Sequence, residues 1–540
     1  MNILLKRQWK EFSRLTVSFH CHSPWITRHS QRLHVASDPA GACFPNDTAV
    51  VVWTTVPLSP QASAAGVRTL GILTQLLTNS QGIASVHVVA PGLSPSEPSA
   101  TSSTAGEALV EQTKTVQYLE RQGVQFHVIP PNREHKTRDF LQSLSHHANL
   151  ICLFDRFYTE EIYSHHVHRH APNATLVLDM QDMHSLRRAR QRAVQTTGVD
   201  SLEGGITAAK AAIPHADDND LLRELASIHR MDLSLVCSPL EMTLLVSRYG
   251  ICSQKLILGP LLGNAIHVSN DTPSWSHRKD VCFVGGFRHD PNVDAVEQLL
   301  RLWPRIRQQL QEQLNEDKLP RLHIYGAYLT SSLRQKWQAK FRQLTRIPDP
   351  ESCGISFNGF VTDLRDVLLH HRVMLAPLRF GAGLKGKLVE AWQAGLPVVT
   401  TPIGAEGFFD LETFHSFPGS VTSTDEGFVN AVVDLYTNEI SWNRAHEYTH
   451  AHTDMSDSTA CFDDSQSHQS NYHDDTGYWK RWVDIAVAWP GIAAGLSRTI
   501  QTLPGRRKQD TVRAILWRET LRSTEFLSKY IEQKELFKGK

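Results

Sequence analysis

The sequence lacks three features that would each indicate a particular class of protein. No stretch approaches the roughly 18–20 apolar residues that a membrane span needs, and the 8 cysteines include no C-x-x-C pair. A disulfide framework or a cysteine-rich zinc site is therefore not expected, and reduced thiols fit better. Charge of neither sign is in excess, since 55 Lys+Arg balance 55 Asp+Glu. Nucleic acid is not a predicted partner, because phosphate contacts need surplus cations on one face. We expect a soluble globular protein.

The chain is long enough for two domains, with 540 residues of which 41% are hydrophobic. From Ala49 onward, short apolar runs typical of buried strands alternate with helical stretches. The predicted strands lie at 49–53, 86–90, 124–129, 150–154 and 175–179, and again at 281–284, 322–325, 355–357, 373–376 and 397–400. This alternation predicts two doubly wound α/β domains, each built on a parallel sheet. The stretch 94–107, rich in Ser, Pro and Thr, reads as a solvated loop.

Composition predicts where the domains begin and end. We expect an N-terminal extension at 1–48, a first domain at 49–262, a second domain at 263–440, and an acidic flexible insertion with C-terminal helices at 441–540. The extension carries six Lys or Arg against one acid before Asp38, which is typical of an organelle transit peptide. A disordered basic tail explains it as well, so the compartment stays open between cytoplasm and organelle.

The C-terminal 100 residues combine opposite charges. Residues 445–479 hold seven acids, five histidines and no Lys or Arg, which predicts a flexible segment. Residues 510–537 are helical by pattern, and 500–540 carry ten Lys or Arg against five acids. Such a basic amphipathic helix is usually a solvated face, and peripheral membrane contact is the alternative.

The strongest chemical signal is a string that begins after a predicted strand ending at Ala376 and closes at Gly407. A loop with Gly381 and Gly383 opens a helix, which lets the backbone approach a ligand and presents free N–H groups to it. Arg379, Lys385 and Lys387 add positive charge there. We interpret this string as a pyrophosphate site.

Glu390 follows Lys387 by three residues, so both side chains point the same way along the helix. One can contact phosphates while the other contacts sugar or ribose hydroxyls. The alternative is a helical ion pair next to an ordinary glycine turn.

These residues belong to an ordered set of motifs. The set comprises Val284-Gly-Gly-Phe-Arg-His-Asp-Pro-Asn292, Ile324-Tyr-Gly326, Phe357-Asn-Gly-Phe-Val-Thr-Asp-Leu364, Gly381–Glu390 and Thr401-Pro-Ile-Gly-Ala-Glu-Gly407. In this order the set resembles family 4 glycosyltransferases. The resemblance implies a GT-B fold, in which two Rossmann-like domains face a cleft, with a helical C-terminal extension. It also implies a nucleotide-diphosphate sugar donor, retention of anomeric configuration, and neither a metal nor another cofactor.

The same resemblance assigns roles to individual residues. Arg288 and Lys387 would neutralise the donor diphosphate, and Glu390 would hold donor hydroxyls. The remaining donor-binding candidates are Gly66, Gly285, Gly286, Gly381, Gly383 and Lys385. The first carboxylate of the family's E-x7-E motif falls on Ala382, so that half of the motif is absent.

The first domain offers weaker candidates. Gly66 and Arg68 lie where a first βα loop would face the cleft, and Asp179, Asp182 and His184 follow a predicted strand at its carboxyl end. His184 is the candidate for assisting the acceptor hydroxyl, whereas helix capping is an equal alternative for the two acids.

Two further polar patterns receive structural interpretations. Asp218-Asn-Asp220 is formally a metal-binding D-x-D, but we interpret Asp218 as a helix cap. The histidines of 165–170 are expected on the surface. We interpret the chain as an enzyme with an unidentified acceptor. The alternatives are a catalytically silent nucleotide-sugar-binding protein, suggested by Ala382, and a partner-recruiting protein that uses the C-terminal segments.

Overall fold

The computed structural model of the protein describes residues 42–56, 58, 64–91, 103–259, 272–408, 417–450 and 485–538. The basic extension before residue 42, most of the interdomain linker and residues 451–484 of the acidic insertion lie outside this part. The expectations made for them stay predictions.

The first domain is built on a seven-stranded sheet in which all pairings are parallel. Its strand order is β3-β2-β1-β4-β5-β6-β7. The strands are β1 Ala42–Trp53, β2 Ser80–Ala90, β3 Val124–Val128, β4 Asn149–Asp155, β5 Thr175–Asp179, β6 Leu233–Val236 and β7 Leu256–Leu258. The central strands are buried along most of their length, as continuous apolar runs predict for a sheet covered on both faces.

Helices connect these strands. They are α1 Ala64–Thr78, α2 Ser103–Arg121, α3 Glu134–Ser143, α4 Phe157–His170, α5 His184–Thr197, α6 Leu202–Ala211, α7 Asn219–Arg230 and α8 Pro239–Ser247. Asp218 caps α7 and accepts hydrogen bonds from the backbone N–H groups of Asp220 and Leu221, which confirms the capping interpretation.

The second domain repeats this design with a six-stranded parallel sheet of order β10-β9-β8-β11-β12-β13. The strands are β8 Lys279–Val284, β9 Leu322–Tyr325, β10 Ile355–Gly359, β11 His371–Ala376, β12 Val398–Thr400 and β13 Gly419–Val421. The helices are α9 Asp290–Gln311, α10 Ser331–Thr345, α11 Leu364–His370, α12 Gly386–Gln393, α13 Asp425–Thr437 and α14 Glu439–His450. Two doubly wound domains were predicted, and this architecture confirms them.

Several boundaries differ from the predicted ones. β1 begins at Ala42, so the last residues of the predicted extension belong to the first sheet. The loop predicted at 94–107 gives way to α2 at Ser103. The predicted flexible insertion starts inside α14, which continues to His450. The short strands β6, β7 and β13 were not predicted.

Two C-terminal helices, α15 Ile485–Gln509 and α16 Thr511–Lys538, return to the first domain. On α15, Trp489 is buried in a cluster with β1 and β2 residues, and its indole N–H donates to Ser80 Oγ at 3.0 Å. On α16, the Trp517 indole donates to the Arg230 carbonyl at 3.1 Å. The predicted C-terminal helix is confirmed and packs on the protein. Among the described residues, no helix is both long and apolar enough to cross a membrane.

The surface expectation for the histidines of α4 is wrong. His165 and His166 are 2% and 3% exposed. His168 stacks on Trp517 of α16, with ring centroids 4.1 Å apart. Burial lowers the pKa of His168 to about 4, assisted by the charge of Arg513. The docked helix α16 therefore covers a polar row that would otherwise face water.

Candidate functional site

The candidate donor site lies at the topological switch point of the second sheet, where the strand order reverses between β8 and β11. In open α/β sheets, ligands bind beyond the carboxyl ends of the strands that flank this switch point. Gly285 and Gly286 follow β8, and the donor loop, defined here as Gly381–Lys385, lies between β11 and α12. The structure thus brings together the two glycine-bearing loops that the sequence singled out.

Lys387 connects these two loops. Its ammonium donates a hydrogen bond to the side-chain oxygen of Asn292 and lies 4.7 Å from the ring centroid of Phe283. The side-chain N–H of Asn292 donates in turn to the Gly286 carbonyl at 2.8 Å. Although Lys387 keeps part of its surface exposed, burial among the cleft's atoms lowers its pKa to about 7. The hydrogen bond to Asn292 thus fixes the position of the Lys387 amino group, while burial disfavours its charged form.

Glu390 lies one turn further along α12 and is half-buried. Within the described ranges, its carboxylate accepts no hydrogen bond and does not form the ion pair with Lys387 that the helical alternative required. Burial raises the pKa of Glu390, and the charge of Lys387 opposes that shift. The carboxylate therefore keeps its capacity to accept hydrogen bonds from hydroxyls.

Arg288 is exposed in the loop that follows Gly286, and its guanidinium lies over the ring of Tyr328, 4.0 Å from the centroid. A Cβ on Gly285 would come within 2.7 Å of the Asn292 side chain, so a glycine is needed where Asn292 folds back. Arg288, Lys387 and Glu390 thus share one edge of the sheet.

Two predicted cations have other functions. Arg379 donates to Asp294 at 3.0 Å and to the Val199 carbonyl at 2.7 Å, so its charge is neutralised within the protein. Lys385 donates to the Gly383 carbonyl at 2.7 Å and lies 3.9 Å from Glu406. Both bind protein groups at the donor loop.

The acceptor candidate His184 begins α5. Its Nε2 lies 3.3 Å from Asp182 Oδ1, and its backbone N–H donates to Glu224 at 2.6 Å. Burial would raise the pKa of Asp182, but Arg187 and then His184 outweigh it and hold that pKa well below its usual range. Asp182 is therefore a fixed negative charge that orients the imidazole.

The two domains meet at this point. Gly383 has φ +63°, and a Cβ there would lie 2.8 Å from the Cβ of Asp182. The donor loop is consequently in contact with the segment that carries His184, so the donor loop and the acceptor candidate lie at the same contact between the domains.

Gly66 and Arg68 differ from their expected positions. Both lie in the first turns of α1 rather than in a loop. Arg68 is buried, donates to both oxygens of Asp179 at 2.8 Å, and donates to the Gly259 carbonyl at 2.9 Å. Asp179 therefore forms a buried ion pair instead of capping a helix. Val67 packs on the apolar cluster that contains Leu384, which keeps this turn close to the donor loop.

Sequence reasoning missed a polar group at the switch point of the first sheet. Asp155 ends β4 and accepts hydrogen bonds from Thr54 at 2.8 Å, from Gln181 at 2.6 Å and from Arg156 at 3.1 Å. Arg156 has φ +70° and Gln181 has φ +60°, conformations that cost on the order of 1–3 kcal/mol for residues other than glycine. No local sequence signal marks such strain.

An alanine at position 383 tests the contact between the loop and Asp182. Gly383→Ala is expected to reduce stability by about 1–3 kcal/mol, since an L residue is strained at this φ and its Cβ overlaps Asp182. The control is Gly198→Ala, which has a similar φ of +61° but nothing within 4 Å of the added Cβ. Denaturant unfolding measures both. Equal losses in the two variants would show that the loop does not contact Asp182 in solution.

Comparisons with known proteins concern both the second domain and the whole fold. Residues 278–438, which contain the second sheet, match the family model described as Glycosyl transferases group 1. No curated protein matches the chain. In the part of the chain that the structure describes, no cluster of three or more His, Cys, Asp or Glu has the arrangement of a metal site.

Three solved structures that are similar to the chain are distant from it in sequence. HepE of Anabaena, in complex with UDP and glucose, is 10% identical, with 83% of this chain and 99% of that chain covered and a TM-score of 0.51. Sucrose-phosphate synthase of Thermosynechococcus elongatus is 11% identical, with 85% and 100% covered and a TM-score of 0.45. TarM of S. aureus is 12% identical, with a TM-score of 0.40, and the match covers 58% of this chain and only 54% of TarM. The likeness to HepE shows a GT-B fold, and the family match shows that residues 278–438 are similar to group 1 glycosyl transferases.

Proposed function

We propose that this chain is a retaining glycosyltransferase that moves a sugar from a nucleotide-diphosphate sugar to an acceptor. One observation carries the proposal. Lys387 and Glu390 lie on the same helix at the switch point of the second sheet, and Glu390 accepts no hydrogen bond within the described ranges. A cation fixed beside a free carboxylate suits a molecule that presents phosphate and hydroxyl groups side by side.

The proposed chemistry follows from where charge develops. Cleavage of the sugar–phosphate bond leaves negative charge on the departing diphosphate. Prepositioned cations and N–H dipoles stabilise such charge, usually as the largest catalytic contribution. In this proposal Lys387, Arg288 and the N-terminus of α12 receive the diphosphate. Glu390 receives hydroxyls of the donor.

The acceptor side of the proposal rests on His184. Its imidazole is oriented by Asp182, which the contact with Gly383 places next to the donor loop. In the proposal, His184 accepts a hydrogen bond from the acceptor hydroxyl and positions it for transfer. The class of acceptor stays open.

The direct test is a panel of nucleotide sugars, with UDP-glucose first, because HepE is described with UDP and glucose. Thermal stabilisation detects binding, and release of UDP with and without candidate acceptors detects turnover. Stabilisation together with UDP release supports a transferase. Absence of binding for the entire panel would refute the donor site.

One observation favours a second candidate function. Ala382 provides no carboxylate where the E-x7-E motif has its first one, so a silent nucleotide-sugar-binding protein is the alternative. Calorimetric binding of UDP without hydrolysis or transfer of any donor would favour this alternative.

The lowered pKa of Lys387 predicts how nucleotide binding depends on pH. Lys387 titrates near pH 7 in the free protein, and a bound diphosphate would raise that pKa by favouring the ammonium form. As pH rises above 7, binding must take up a proton, so UDP affinity is expected to fall by up to about tenfold per pH unit. Calorimetry between pH 6 and 9 measures the slope. In Lys387→Arg, whose cation does not titrate in this range, the fall should disappear. The same slope in both proteins would contradict the role of Lys387.

A further inference from the structure

The donor loop is held by residues of the other domain at three consecutive positions. Arg190 of α5 donates to the Gly381 carbonyl at 2.8 Å. Ala382 packs against the first domain's apolar cluster that contains Met183 and Leu186. The N–H of Gly383 donates to Glu241 Oε1 at 2.6 Å. A glycine-rich loop has more conformational freedom than any other backbone, so these contacts decide where it lies.

Glu241 is placed for this contact by the start of α8. Ser238 caps that helix, and its hydroxyl accepts from the Glu241 N–H. In a capping box, the carboxylate three residues after the cap reaches back to the cap's own N–H. The Glu241 carboxylate instead accepts from Gly383 N–H and, at 3.3 Å, from Met183 N–H. It is 1% exposed and therefore lies behind the loop rather than in the cleft.

Arg190 extends the same attachment to a second segment of the donor domain. Besides the Gly381 carbonyl, its guanidinium binds both carboxylate oxygens of Glu406, at 2.6 and 2.9 Å. Glu406 follows β12 and belongs to the Thr401–Gly407 motif. Arg190 is 4% exposed. From the first domain, it thus binds both the donor loop and the loop that follows β12.

We propose that Glu241 and Arg190 are positioning residues that hold the donor loop in its nucleotide-binding position, so that the donor site is complete only when the two domains touch. This inference rests on the proposed donor site. Neither residue contacts the donor, since both are buried behind the loop. The attachment also gives Ala382 an apolar contact with the first domain that a carboxylate at this position would lose.

Calorimetric titration with UDP tests this proposal. Glu241→Ala leaves the Gly383 N–H without its acceptor, so UDP affinity is expected to fall about ten- to a hundredfold. Glu241→Gln keeps an oxygen that accepts from Gly383 and is expected to bind UDP within about threefold of wild type. Glu241→Asp keeps the carboxyl group but is one methylene shorter, and is expected to lose affinity like the alanine variant. It also serves if the alanine variant does not fold.

A matched control lies elsewhere between the domains. Asp425 also accepts a backbone N–H across the domains, from Leu202 at 3.0 Å, and its other partner is Arg301, so neither contact involves a residue of the donor loop. Asp425→Ala is expected to leave UDP affinity unchanged even if it lowers the melting temperature. If it weakened UDP binding as much as Glu241→Ala, the loop-specific role would be refuted.

Kinetics with a donor that turns over provide the second readout. Loss of loop positioning is expected to raise the donor KM in Glu241→Ala tenfold or more with a smaller change in kcat, and Glu241→Gln should restore KM. A purely structural role would lower the melting temperature of all Glu241 variants without changing UDP affinity, which would overturn the inference. If the wild-type protein bound no nucleotide diphosphate, both the proposed function and this inference would fail. Normal UDP binding by both Glu241→Ala and Glu241→Asp would overturn only the inference.

Discussion

Lys387→Ala is expected to weaken UDP binding between about tenfold and more than a hundredfold. A hydrogen bond to a charged group contributes about 1.5–3 kcal/mol, and each 1.4 kcal/mol corresponds to a factor of ten. The contacts of Lys387 with Asn292 and Phe283 aim its ammonium at the space between the donor loop and the Gly285–Gly286 loop. Calorimetry at pH 6.5, where the wild-type side chain carries its charge, gives the full effect.

Two further variants separate charge from stability. Lys387→Arg keeps a cation and should recover most of the affinity. Lys336→Ala removes a second-domain lysine that is 63% exposed and pairs with Glu297, and should leave UDP binding unchanged. The melting temperature of Lys387→Ala should stay within a few degrees of wild type, because the side chain lines a cleft and packs no core. Unchanged affinity in Lys387→Ala would end the assignment of this site.

Features carried by neighbouring residues were predictable from the sequence. All ten predicted strands are present, because continuous apolar runs report directly on burial in a parallel sheet. The Asp218 cap was predictable because its acceptor and its donors lie within three residues. The positions of Lys387 and Glu390 on one helix followed from helical spacing alone.

Features that depend on distant residues were not predictable. Glu241 and Gly383 are 142 residues apart in the sequence, and Arg190 and Gly381 are 191 residues apart. Arg379 lies six residues before Lys385 in the same string, yet it pairs with Asp294 on a different helix. Periodicity and composition indicate which face of a helix or strand is buried. They do not specify which charged side chain of another element will contact that face. The donor loop was therefore recognisable from sequence, whereas the residues that hold it were not.

The C-terminal segment illustrates the same limit. Its excess of Lys and Arg predicted a solvated face, with peripheral membrane contact as the alternative, but three of these residues bind the first domain. Arg506 donates to backbone carbonyls of Asp232 and Gln254, Arg507 binds the Asp232 carboxylate, and Arg513 donates to the Arg230 carbonyl. Charges that compensate carbonyls and a buried acid are not available to a partner.

Asp232→Ala is therefore expected to destabilise the attachment of α15 and α16 by about 3–5 kcal/mol, the usual effect of removing one member of a buried ion pair. The Asp232 carboxylate is 4% exposed, binds Arg507 at 2.9 and 2.5 Å, and accepts the Leu176 N–H at 2.9 Å. Without it, the half-buried Arg507 and the buried Arg513 would lose the carboxylate that lies between them. Hydrogen exchange of α15 and α16, together with denaturant unfolding, measures the loss.

The control for this prediction is a carboxylate in an exposed pair. Asp139 pairs with Arg138 on α3 and is 61% exposed, so Asp139→Ala should change stability little, as exposed ion pairs usually contribute less than about 1 kcal/mol. Asp232→Ala should accelerate exchange in α15 and α16 more than in the second sheet, because the second sheet makes no contact with Asp232 in the described structure. Uniform acceleration across both domains would instead mean that the C-terminal helices unfold with the entire chain. Exchange as slow as in Asp139→Ala would show that apolar contacts such as Trp489 and Trp517 hold the helices without the ion pair.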